Sequence, residues 1–168
     1  MNKMNKKLAV AFTGPSNSGK TTLIVKLSNF LQELGFKVAI IKNDPKDKAS
    51  FDTIGKDSFK FSQTGADVAV VSPNKTTIFK KESLSIEQIA ASFNNFDFLL
   101  VEGLKNIPLP RICIHRDKDL DGIYFQVSDC IATNKDIKKY NTPKNIPILD
   151  LNNIEEIYNW IKNNAKEI

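Results

Sequence analysis

Two hydrophobic patterns alternate along the chain. Short, nearly continuous apolar runs occupy positions 8–12, 38–41, 68–71 and 98–101. Runs of that length read as strands, and those at 8–12, 38–41 and 98–101 as buried ones. The first, with its flanks 7–13, predicts strand one. From Gly19 to about Leu34 the apolar positions Leu23, Leu27, Phe30, Leu31 and Leu34 recur at spacings of three and four. That spacing predicts an amphipathic helix, stopped by Gly35. Positions 37–42 (KVAIIK) and 67–72 (DVAVVS) predict two more strands, 76–79 a short edge strand, and 96–101 (FDFLLV) a central one. Further strands are expected at 111–115, 124–127, 130–133 and 146–151. A short helix over 58–64 closes at Gly65, with Asp57 placed to cap it. Another begins after Ser85, with Gln88 as the partner in a capping box, and runs to about Asn94. Ile154, Ile157, Tyr158 and Ile161 give a closing helix one apolar face. Strands alternating with helices imply an α/β fold, with a mostly parallel sheet and helices on both faces. The polar stretch 43–57, broken by Pro45 and Gly55, is a long loop of the kind that carries function.

Composition narrows this picture. A chain of 168 residues argues for a single domain over 1–168, with no need of a disulfide or metal staple. Lys and Arg number 24 and Asp and Glu 19, a net charge of +5. That mild excess suits a phosphate-bearing partner. It is too diffuse for a nucleic-acid binder, and no interleaving of aromatic with basic residues is present. No apolar run approaches the roughly 18 residues of a membrane span. The basic start is followed by an apolar stretch too short for a signal core, so a cytoplasmic protein is expected. Cys113 and Cys130, 17 positions apart among apolar neighbours, read as buried inert thiols. With one His and two Cys, the composition argues against a soft-metal site.

The decisive segment is Gly14-Pro15-Ser16-Asn17-Ser18-Gly19-Lys20-Thr21. It fits G-x-x-x-x-G-K-[ST] at every required position, between an apolar strand and an amphipathic helix. The spacing follows from chemistry. The oxygens of a nucleoside triphosphate accept hydrogen bonds from every side, and a wrapping loop can offer backbone N–H groups to them. Gly14 and Gly19 let the main chain come close, and the helix start adds its dipole. Lys20 is then expected to bridge the β- and γ-phosphates and Thr21 to ligate Mg²⁺. Ser18 and Thr22 make minor contacts.

A Mg²⁺ site also needs carboxylate help. Glu102 directly follows FDFLLV, so it stands at the carboxyl end of a strand, where open α/β sheets bind ligands. It can bind metal through water, position a hydrolytic water, or be an exposed loop acid. Asp44, past the second strand, is an alternative for metal or water, or a turn carboxylate before Pro45. Asp97 lies at the other end of its strand and reads as structural. Thr133-Asn134-Lys135-Asp136 follows the strand CIAT and approaches the Asn-Lys-x-Asp segment by which guanine is read. The same residues also suit a simple turn.

Taken together, the residues resemble one family, the molybdopterin-guanine dinucleotide biosynthesis protein B family. The resemblance runs over roughly 8–150. It is carried by the loop 14–22, KVAIIK with Asp44, Phe51-Asp52 and Gly55-Lys56-Asp57-Ser58, Thr64-Gly65-Ala66-Asp67, Val101-Glu102-Gly103-Leu104-Lys105, Leu109-Pro110-Arg111, and His115-Arg116. It implies a GTP-binding protein with weak GTPase activity. Such a protein assists a guanylyltransferase that joins GMP to molybdopterin in molybdenum cofactor maturation. It also implies a homodimer with pooled sheets. Carried over by position, residues 14–22 bind phosphate, and Asp44 and Glu102 serve the Mg²⁺ end; Asn134, Lys135 and Asp136, one residue short of the guanine-reading spacing, support GTP over ATP when combined with the resemblance. Lys56, Asp57, Lys105, Arg111, His115 and Arg116 become candidates for the nucleotide or molybdopterin surface. Each has a plainer reading: a helix-leading turn for Lys56 and Asp57, a surface charge for Lys105, and a surface ion pair for His115 and Arg116 beside Asp117. One departure stands out. Members often carry His after the Lys that ends strand two, whereas this chain has Asn43, then Pro45-Lys46-Asp47-Lys48. No proton transfer is assigned there. Lys46 and Lys48 are either a contact for a pterin phosphate or a solvated cluster.

An ATP-dependent small-molecule kinase or ligase is the competing reading. It needs an acceptor pocket and a mobile basic lid, and only 43–57 is long enough to move. A metallochaperone GTPase needs more His and Cys than the chain has. Turnover is expected to be slow, since the sequence assigns no arginine finger in cis.

Overall fold

The computed structural model describes residues 6–116, 122–135 and 145–168. In chain order the elements are β1 (Leu8–Thr13), α1 (Lys20–Glu33), β2 (Val38–Lys42), α2 (Asp57–Gln63), β3 (Val68–Ser72), β4 (Lys75–Phe79) and α3 (Ile86–Ser92). They continue with β5 (Phe98–Glu102), β6 (Arg111–His115), α4 (Gly122–Gln126), β7 (Cys130–Thr133), β8 (Ile148–Asp150), α5 (Ile154–Asn164) and β9 (Lys166–Glu167). The chain divides into two compact units, one of Met1–Asn43 with Phe93–Ile168 and one of Asp44–Ser92.

The first unit is built on a sheet of order β2-β5-β1-β6-β7-β8, with all of these neighbours parallel. The short β9 adds to β1 antiparallel, pairing Leu8 with Glu167 and Ala9 with Lys166. Period-two alternation sorts the strand residues onto two faces. Leu8, Val10 and Phe12 of β1, Phe98 and Leu100 of β5, and Ile112 and Ile114 of β6 point to one side. There they pack with Leu23, Leu27 and Leu31 of α1 and Ile157 and Ile161 of α5. Cys113 and Ile131 point to the other side and meet Tyr124 and Phe125 of α4. Helices thus flank the mostly parallel sheet, as the sequence pattern implies. Gly35 ends α1 at φ 85°, and the Phe36 N–H reaches back to the Leu31 carbonyl at 3.0 Å. Asp97 accepts the Lys37 N–H at 2.7 Å, joining the starts of β2 and β5. No helix of the described residues is long and apolar enough to cross a membrane.

The second unit holds α2, the antiparallel hairpin β3-β4 and α3. The capping box before α3 forms as expected. The Ser85 N–H donates to Gln88 Oε1 at 2.8 Å, and the Gln88 N–H donates to Ser85 Oγ at 3.3 Å.

Three local expectations are corrected. Residues 124–127 do not form a strand. Adjacent Tyr124 and Phe125 both pack against Cys113 and Ile131, which consecutive strand residues, pointing to opposite faces, do not do. Asp57 is the first helical residue of α2 rather than its cap, which is Lys56 and makes no side-chain cap bond. The last helix is followed by β9, a two-residue strand too short to leave a periodic signal.

Both cysteines are fully buried and unpaired with each other. Burial pushes the Cys113 thiol up from its ordinary 9.0 to about 11, with the Ser128 hydroxyl pulling partly back; burial raises Cys130 further. Neither thiol is expected to react with iodoacetamide in the folded protein at neutral pH, and both should do so in denaturant. The stability that protonated Cys113 contributes is complete below pH 9.0 and is lost as pH climbs toward about 11, because folding raises its pKa.

Candidate functional site

The site grows out of the carboxyl ends of three adjacent strands. β5 lies between β1 and β2, and the register sets Glu102 beside Phe12 on one side and Lys42 on the other. The last residues of β5 and β2 therefore stand level with the end of β1, at the edge where parallel sheets receive ligands. Gly103 N–H donates to the Phe12 carbonyl at 2.9 Å and Asn43 N–H to the Glu102 carbonyl at 3.0 Å, which fixes this edge.

Beyond Thr13 the chain turns sharply. Gly14 has φ 143°, Asn17 φ 63° and Gly19 φ 94°. A Cβ on Gly14 would collide with the Ile114 carbonyl of β6 and sit 2.9 Å from Ser18 Oγ. The glycine is thus required by space as well as by conformation. The loop delivers the chain into α1 with Gly19 as its N-cap, so no side chain caps the helix, and its first turn carries no acid. The opening N–H groups of a 14-residue helix are left to whatever anion the loop surrounds.

Residues 16–22, Lys42, Glu102 and Arg116 line a cleft of about 420 Å³. Lys20 Nζ donates to the Gly14 carbonyl at 3.1 Å and the Pro15 carbonyl at 2.8 Å. An ammonium has three N–H donors, so a third can face the cleft. Burial holds the Lys20 pKa below the usual lysine range, and the Glu102 carboxylate pushes back. Thr21 Oγ1 donates to Glu102 Oε2 at 3.3 Å. A hydroxyl and a carboxylate converging at the start of α1 form an oxygen donor set that fits a hard divalent cation such as Mg²⁺. Among the described residues no three His, Cys, Asp or Glu cluster, so such a cation would take its remaining ligands from phosphate and water. The fit to an anion rests on two buried polar atoms. Ser18 Oγ and Arg116 Nε have no hydrogen-bond partner among the described residues, and both residues line the cleft.

Of the residues singled out from sequence, Ser16, Asn17, Ser18, Gly19, Lys20, Thr21, Thr22, Glu102 and Arg116 come together here; Gly14 and Pro15 supply the carbonyls that hold Lys20. Others lie elsewhere. Arg111, grouped by the sequence with surface residues, is 1% exposed. Its guanidinium donates to the carbonyls of Gly103 and Leu104, each at 2.8 Å, and of Ile107 at 3.3 Å. Burial lowers its pKa and Asp129 supports its charge. It props the turn after Glu102. His115 is likewise buried, with Nδ1 3.2 Å from Thr133 Oγ1; Asp117, beside which a surface ion pair is expected, lies outside the described residues. Lys105 lies over the Tyr124 ring, 4.3 Å from its centroid, and borders a separate cavity of about 340 Å³ with Asn43 and residues 103–107. Asn134 and Lys135 follow β7, with the Lys135 N–H on Thr133 Oγ1 at 3.1 Å; Asp136 lies outside the described residues. In the second unit, Asp44 accepts the Lys48 and Ala49 N–H groups, each at 2.6 Å, and so folds its own loop. Lys56 and Asp57 begin α2 there.

Sequence reading missed Lys42. Its signal was present, since it is the charged residue that ends the second apolar strand, level with Glu102. It named Arg116 among the candidates for the nucleotide or molybdopterin surface without assigning an arginine finger in cis; Arg116 stands in the cleft.

A family model described as "Molybdopterin guanine dinucleotide synthesis protein B" matches residues 9–136. The Haemophilus influenzae "Molybdopterin-guanine dinucleotide biosynthesis adapter protein" is 31% identical over 95% of this chain and 91% of its own length. The Escherichia coli protein of the same description is 26% identical over 90% of each chain. The crystal structure of Bacillus subtilis MobB superposes with a TM-score of 0.74, at 21% identity, covering 94% of this chain and 98% of that one. At that identity it speaks for the fold alone.

Proposed function

The chain belongs to the molybdopterin guanine dinucleotide synthesis protein B family, and from that premise we propose that it is a GTP-binding accessory protein of molybdenum cofactor biosynthesis. In this reading it has weak GTPase activity of its own. It assists a partner guanylyltransferase in attaching GMP to molybdopterin, in the cytoplasm and as a homodimer. The observation that carries the proposal is the loop 14–19 turning into an uncapped α1, with Lys20, Thr21 and Glu102 around one cleft.

The chain's own groups divide the work. The N–H groups of the loop and of the first turn of α1 cradle the phosphate oxygens. Lys20 holds the loop closed on itself and turns its remaining N–H to the β- and γ-phosphates. Thr21 and Glu102 hold Mg²⁺, which when bound neutralises phosphate charge. Asn134, Lys135 and Asp136 read the base. A carboxylate accepts from the guanine N1–H and amino group, a donor pair that adenine lacks.

Two measurements test the proposal. In direct competition GTP is expected to displace ATP; equal affinity, or ATP preferred, removes the guanine assignment and favours a kinase or ligase. In a mixture of molybdopterin, Mg-GTP and the partner transferase, adding this chain should raise the yield of the guanine dinucleotide. A yield indifferent to the chain would remove the accessory role.

A further inference from the structure

Building on the nucleotide reading above, we infer that Arg116 is a phosphate ligand supplied by the chain itself, directed at the terminal phosphate of the bound nucleotide. β6 outruns β1 at this edge of the sheet. β1 pairs with β6 as far as Thr13 against Cys113, after which β1 turns away at Gly14. β6 continues, pairing His115 with Thr133 of β7. The residue after its last strand position therefore projects alongside the loop. The Gly19 Cβ position lies 3.4 Å from both Arg116 Cζ and Nε and 3.7 Å from Nη1. The guanidinium thus lies against the bare N-cap of α1. A Cβ there would meet the guanidinium at ordinary van der Waals distance; it is the φ of 94° that favours glycine at this N-cap.

Arg116 Nε is buried and has no hydrogen-bond partner, and no carboxylate lies within ion-pair distance of Arg116, among the described residues. Buried polar groups are ordinarily satisfied, and a charge next to a helix's positive end is repelled by it. Ser18 Oγ, in a residue 6% exposed, is unpartnered in the same cleft. Two unpartnered donors around one uncapped helix start form an arrangement suited to an anion. Among the described residues lining the cleft, Lys20, Lys42 and Arg116 accompany one carboxylate, Glu102, a balance suited to a polyanion. Lys20 is held by the carbonyls of Gly14 and Pro15 at the base of the loop. Arg116 comes from another strand, and its planar fork can take two oxygens of one phosphate. That is the group present in GTP and missing from GDP. In hydrolysis a water oxygen bonds to the γ-phosphorus, the bond to the β–γ bridging oxygen breaks, and the water's proton leaves on phosphate. Charge that builds on the γ-oxygens and the bridging oxygen would lie beside the guanidinium.

The test compares nucleotides and side chains in the full-length protein. Calorimetry with Mg-GTP and Mg-GDP is run on the wild type, Arg116→Ala and Arg116→Lys, with Lys20→Ala as control. Arg116→Ala should lose tenfold or more in GTP affinity and less than twofold in GDP affinity, whereas Lys20→Ala loses both. Arg116→Lys should fall between. Single-turnover GTP hydrolysis by Arg116→Ala should slow by about a hundredfold, somewhat less than the roughly 10³–10⁵-fold that an arginine finger supplies. Added guanidinium should restore part of it. If Arg116→Ala does not fold, Arg116→Gln, which keeps the stem over Gly19, carries the same comparison. GTP affinity unchanged in these variants, or GTP and GDP weakened equally, overturns the assignment while leaving the nucleotide reading intact. A wild-type protein that binds neither nucleotide removes both.

Discussion

Lys20→Ala is expected to lower GTP affinity about a hundredfold while leaving the fold in place. The ammonium bonds the Gly14 and Pro15 carbonyls, and burial already disfavours its charged form. A phosphate beside it gains a charge-assisted hydrogen bond of about 1.5–3 kcal/mol, roughly ten- to 150-fold in binding. Loosening of the loop adds to the loss. The core is untouched, because Leu23, Leu27 and Leu31 on the far side of α1 make its packing. Circular dichroism should therefore show an unchanged fold, and calorimetry the lost binding. A variant that binds GTP as tightly as the wild type would place the phosphates elsewhere.

Arg111→Ala should have the largest effect on stability, about 3–4 kcal/mol, roughly 6–16 °C in Tm for a chain of this size. The guanidinium is buried and donates to three main-chain carbonyls in the turn after Glu102. Each acceptor left unsatisfied costs about 1–3 kcal/mol, less whatever water recovers. The effect should reach the cleft as well, since Gly103 follows Glu102 directly and its N–H ties the turn to Phe12. Thermal melting checks the first part, and GTP affinity measured well below the melting point checks the second. A melting curve like that of the wild type would show that Arg111 is dispensable to the turn, contrary to its burial.

Lys20 and Arg111 mark the two sides of what could be read in advance. Lys20 belongs to a local pattern. The two glycines, the lysine and the threonine act within one turn of chain, so their spacing alone carries their geometry. The same is true of the capping box at Ser85 and Gln88, and of the strands β1 and β5, whose apolar runs are buried; β2, at the edge of the sheet, leaves Ile40 42% exposed. Glu102 was legible because a carboxylate directly after a buried run must stand at a strand end. The short helix α4 was not. Five residues hold too little of a 3.6-residue period to be told from a strand, and packing against Cys113 and Ile131 decided the matter.

By itself, then, the sequence determined the parallel α/β framework, the phosphate-type loop and the family, because each is written in neighbours along the chain. Only the tertiary structure decided the fates of Arg111, His115, Lys42 and Arg116. Charged residues at the ends of β2 and β6 look alike in sequence, as candidates for a surface. Strand register, the alternation of faces and the open edge of the sheet sent Arg111 and His115 into the interior and brought Lys42 and Arg116 to the cleft. The bare Gly19 position beside Arg116 joins residues remote in sequence, and chain-local spacing holds no record of such a meeting.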